Sequence, residues 1–68
     1  MTLAERIAEK APKQIRRISK LTEADMVAGV HQDIFETLIP YLERQIEELQ
    51  TMEWIAIEDL VYEAVELI

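Results

Sequence analysis

The chain has no cysteine and no asparagine, and among its 68 residues there are one glycine, one serine, one histidine and two prolines. Each shortage excludes something. Without cysteine there are no disulfides, no thiolate metal sites and no thiol nucleophile. With one glycine and no Asn-Gly or Asp-Gly pair, the tight turns that join β-strands lack their residues. A lone Gly29 also cannot build a glycine-rich phosphate loop. Ser19 has no histidine near it in sequence, so a nucleophilic Ser–His pair has no local support. It also lacks the acidic-Ser-apolar setting of a carrier-protein attachment site. No apolar run reaches the roughly 20 residues that span a bilayer. The opening MTLAERIAEK mixes both charge signs where a signal peptide would be apolar. Together these absences predict a non-enzymatic, cytoplasmic protein with no cofactor, no metal and no membrane contact.

What is present is apolar and charged. Half of the residues are hydrophobic, yet only four are aromatic: Phe35, Tyr41, Trp54 and Tyr62. A chain this short buries only about 60% of its unfolded surface. The usual remedies are disulfides, a metal or association, and only association remains here. The expectation is a homo-oligomer, a dimer in the first instance, or a protein partner that covers the excess.

Charge is divided along the chain. The net charge is −7, but residues 1–20 hold six cations against two carboxylates, while residues 21–68 hold Arg44 alone against twelve. Such a division lets opposite ends attract within a chain, between chains or toward different partners.

The pattern is helical throughout, in one domain. Thr2 followed by Glu5 has the spacing of a capping box, and Leu3, Ile7 and Ala11 then share a face. Pro12 suits the first turn of a new helix. The basic segment 1–20 is therefore a short helix before Pro12 and another after it, or one kinked helix. Thr22 and Asp25 mark the next start. From there Val27, Val30, Ile34, Leu38, Leu42, Ile46 and Leu49 recur at three- and four-residue steps. Gly29 costs about 1 kcal/mol against alanine in a helix, and Pro40 roughly 3 kcal/mol. Because the stripe crosses both in phase, one long helix over 22–50, kinked near Pro40, is expected. A break there with Thr37 as cap is the alternative. The apolar stretch Met52, Trp54, Ile55 and Ile57 leads into a terminal helix over 57–68. The fold class expected is all-α, a small bundle of one long kinked helix and shorter flanking helices, completed by dimerisation.

Two surfaces are candidates for function. Lys13, Arg16, Arg17 and Lys20 share one face of the helix after Pro12. They form either the solvated side of an amphipathic helix lying over the chain's own acidic surface, or a contact for an acidic protein or a nucleic-acid backbone. The acidic remainder weakens the nucleic-acid reading, since its field repels phosphate. The second candidate is apolar. Trp54, Ile57, Leu60, Val61, Ala64, Val65 and Ile68 cover most directions of the terminal helix, so a second chain is expected to bury them. Trp54, Tyr62 and Phe35 read as core or dimer interface. His31, with Asp33 and Glu36 nearby, lacks ligand spacing and reads as a helix-edge histidine. The pairs Glu43/Glu47 and Asp59/Glu63 would need a water-excluding cleft to act as acid and base. The functional expectation is a self-associating protein–protein interaction module: an adaptor, assembly factor or inhibitor-type regulator. The alternative is a nucleic-acid-associated regulator using the basic helix.

The order short helix, long helix, short helix over roughly residues 12–65, with Ile57-Glu58-Asp59-Leu60 opening the last, is similar to the histone fold. That resemblance implies an obligate handshake dimer. Pro40, the absence of arginine or lysine before the last helix and the acidic balance depart from it, and the chain is assigned to no family on this ground.

Overall fold

The computed structural model describes all 68 residues, and it is all-α. Helix α1 spans Leu3–Lys10, α2 Pro12–Ser19, α3 Glu23–Val27, α4 Val30–Gln45 and α5 Trp54–Glu66, with a 3₁₀ turn at Glu47–Thr51 between the last two.

The first two helices follow from local chemistry. Thr2 and Glu5 form the capping box: the Glu5 N–H donates to Thr2 Oγ1 at 3.2 Å and the Thr2 N–H to Glu5 Oε1 at 3.3 Å. Ala11 leaves helical geometry at φ −136°, and Pro12 opens α2, where its missing N–H costs nothing. The basic segment is thus two helices, not one kinked one. Each is amphipathic, with Ala4 and Ile7, then Ile15 and Ile18, facing the core.

The single helix expected over 22–50 is instead three elements. The Asp25 carboxylate accepts from the Thr22 N–H at 2.9 Å and from its hydroxyl at 3.0 Å, which starts α3. Gly29 then takes φ +80°, the left-handed conformation that only glycine adopts without cost, and separates α3 from α4. Gly29 is therefore a helix stop. Val27, the expected first member of the apolar stripe, is 90% exposed. Helix α4 passes through Pro40 and continues to Gln45, burying Ile34, Phe35, Leu38, Ile39 and Leu42. Thr37 does not cap a second half: its hydroxyl donates back to the Asp33 carbonyl at 3.1 Å, inside the helix.

The helix ends at Ile46, which is extended at φ −129°, before the 3₁₀ turn. Ile46 and Leu49 stay fully buried, because an extended residue followed by a tight turn points them inward as a helix would. Gln50 Nε2 donates to the Glu43 carbonyl at 2.9 Å, satisfying a helix-end acceptor. An ion pair between Arg6 and Glu48 ties the turn to α1.

Helix α5 starts at Trp54, earlier than the expected residue 57, and returns to pack mainly on α1 and then on α2 and α4. Fifteen apolar residues form one core, and no polar group is buried within it. The radius of gyration is 11.3 Å, as for a closed chain of this length, about 11 Å. No helix is long and apolar enough to cross a membrane. Nor is the short–long–short order similar to the histone fold the arrangement formed, since three helices precede the break at Gly29 and the longest has 16 residues.

Two tests follow from these local devices. Nothing lies within 4 Å of where a Cβ on Gly29 would stand, so Gly29→Ala is expected to cost about 1 kcal/mol through backbone strain alone. D-alanine introduced there by chemical synthesis should restore the urea midpoint, since its mirror geometry favours positive φ. At Asp25, the hydrogen bonds from the Thr22 backbone and side chain hold the carboxyl below its ordinary range. A carboxyl depressed by folding contributes stability above its unfolded value and loses it as pH falls through the folded one. The amide resonances of Glu23–Val27 should therefore shift toward coil below about pH 4, and Asp25→Asn should remove that pH dependence.

Candidate interaction surfaces

In α2 the buried residues and the cations are segregated. At 3.6 residues per turn, Lys13, Arg16, Arg17 and Lys20 fall within an arc of about 100° opposite Ile15 and Ile18. All four are exposed. None meets a carboxylate at ion-pair distance, for the sole ion pair of the chain is Arg6 with Glu48. The patch is thus the solvated side of an amphipathic helix, with no carboxylate of the chain at ion-pair distance. Arg17 also borders a groove of about 600 Å³ between α2 and α4, with Asp33 and Tyr41 on its other side.

The apolar group expected to meet a second chain is divided by the fold. Ile57, Val61 and Ala64 are fully buried by the chain's own α1, α2 and α4, so no partner can reach them. Leu60 and Val65 are partly buried against the same core. Trp54 and Ile68 remain outside, 47% and 58% exposed. The expectation takes one long helix and two short ones as too few to cover α5, whereas α1, α2 and α4 together cover these three positions.

A second groove, of about 350 Å³, lies where α3, α4 and α5 meet. Its walls are aromatic. His31 and Phe35, one turn apart on α4, stand edge to face at 4.9 Å between centroids, and Tyr62 of α5 lies 5.6 Å from Phe35. The Tyr62 hydroxyl is 3.1 Å from His31 Nδ1, a hydrogen bond that fixes both rings. Trp54 and Met26 complete the apolar lining, and Glu36, Glu58 and Gln32 supply its polar edge. Burial, with the negative field of Glu58 and Asp59 added, pushes the Tyr62 phenol above its ordinary range, so it stays protonated and neutral.

Sequence reasoning placed Trp54, Tyr62 and Phe35 together as core or interface but did not find the groove. The i, i+4 spacing of His31 and Phe35 was a usable signal; the approach of α5 was not written locally. His31 is the ring partner of Tyr62. Glu43 and Glu47, like Asp59 and Glu63, lie outside either groove, with Glu47, Asp59 and Glu63 on open surface. Comparison with protein-family models, with curated proteins and with solved structures gives no match.

Proposed function

We propose that this chain is a non-enzymatic helical interaction module of the cytoplasm, an adaptor, assembly factor or inhibitor-type regulator, that associates with a second copy of itself. The observation that carries this reading is the aromatic face at the α3–α4–α5 junction. Trp54 and Tyr62, 47% and 41% exposed, stand there beside a half-exposed Met26. Aromatic side chains and methionine in a concave, partly desolvated setting are the residues that dominate protein interfaces. Ile55, at 71% exposure, lies next to Trp54 in sequence and adds apolar surface to α5.

Trp54 is the only tryptophan, so fluorescence excited selectively at the indole reports on this face alone. Self-association that covers the groove should shift the emission to shorter wavelength as concentration rises. An emission maximum that stays constant from micromolar to millimolar chain would count against the reading.

The nucleic-acid alternative is favoured by one observation, the four unpaired cations of α2. Binding of duplex or single-stranded nucleic acid should then weaken steeply with salt and disappear in Arg16→Glu/Arg17→Glu. A gel shift without salt dependence, or no shift, removes it.

A further inference from the structure

Two surfaces of opposite character are left unmatched by the fold. One is the groove lined by Phe35 and by the more exposed rings of Tyr62 and Trp54, with Glu36 and Glu58 also in its lining. The other is the outward ridge of α2, where Lys13, Arg16 and Lys20 recur at i, i+3 and i+7 and touch no carboxylate. Aromatic faces attract a cation through their quadrupole, and neighbouring carboxylates strengthen the attraction. A guanidinium suits such a setting better than an ammonium, because it is planar, weakly hydrated and able to stack while it hydrogen-bonds a carboxylate. The Glu58 and Asp59 charges felt at the Tyr62 hydroxyl show that the groove wall lies in a negative field.

We propose that the groove is a receptor for an arginine side chain and that its occupant is Arg16 of a second copy of this chain, flanked by that copy's Lys13 and Lys20. Both surfaces are present in every molecule at equal concentration and opposite charge, which makes a second copy the occupant the charge pattern favours. In a two-fold dimer each groove takes the other chain's α2, so that the contact occurs twice. The pairing rests on the self-association proposed above and specifies its chemistry. It also answers why so much positive charge is concentrated in the first twenty residues of an acidic chain: that segment is the ligand of the rest.

The test uses two charge-reversed full-length variants, Glu36→Lys/Glu58→Lys in the groove and Arg16→Glu/Lys20→Glu on the ridge. None of these four residues belongs to the core or to an ion pair. In sedimentation equilibrium each variant alone should associate at least about tenfold more weakly than the unmodified chain. An equimolar mixture should recover a one-to-one dimer, since each carries a surface complementary to the other's, and added salt should weaken it. Variants that dimerise as the unmodified chain does would overturn the pairing while leaving self-association by another face. A mixture no tighter than its components would overturn it too. An unmodified chain that stays monomeric would overturn both the pairing and the reading beneath it.

Discussion

Leu42→Ala is expected to leave much of the protein unfolded at room temperature. The side chain is fully buried in the last turn of α4. Removing it costs the transfer of its methyl groups and leaves a cavity, together about 2–5 kcal/mol. A domain of this size holds only about 3–10 kcal/mol in total, so one such deletion removes a large share of the margin. Urea unfolding followed by far-ultraviolet circular dichroism should show the midpoint fall sharply. Ile55→Ala serves as the control, because Ile55 is among the most exposed apolar residues of α5. It should move the folding free energy by less than about 0.5 kcal/mol. Equal losses at the two positions would mean that α5 packs with a different face.

The second large effect concerns association and leaves folding nearly untouched. Trp54→Ala should weaken self-association by about 2 kcal/mol or more, at least about 30-fold, as truncation of a central aromatic anchor does. Trp54 is outside the core, so the circular dichroism spectrum and the methyl resonances of Ile39, Leu42 and Ile57 should be preserved. A variant that loses those resonances would place Trp54 in the fold and remove it from the interface.

These two outcomes separate what was legible in the sequence from what was not. Features written within three or four residues were readable: the Thr2–Glu5 box, the helix start at Pro12, the start at Thr22 with Asp25, and the amphipathic face of α2. The position of Gly29 was visible too, but its effect was not. Val27, Val30 and Ile34 keep helical phase across it, so periodicity alone favoured a continuous helix. The left-handed backbone that a glycine permits is silent in such a pattern. The same holds at Ile46, where an extended residue and a 3₁₀ turn bury Ile46 and Leu49 just as another helical turn would.

Pairing between distant segments was the larger gap. Helix α5 is apolar on most sides, and without knowing that α1 and α2 fold back onto it, its surplus reads as an interface. The structure buries Ile57, Val61 and Ala64 within the chain and leaves the surplus elsewhere, at Trp54 and Tyr62 beside Met26. The case for association therefore survives with a different surface. It depends now on an aromatic groove that α4 and α5 build together, which no local spacing announces. The cations of α2 are exposed, and no carboxylate of the chain lies at ion-pair distance from them.

The claim on which the rest depends is that a closed, folded molecule still carries a face requiring a second copy. Sedimentation equilibrium of the unmodified chain tests it most directly. The account predicts a mass that rises with concentration from the 7.9 kDa of one chain toward that of two. A single species of one-chain mass from micromolar to millimolar concentration, with the helical content intact, would contradict it.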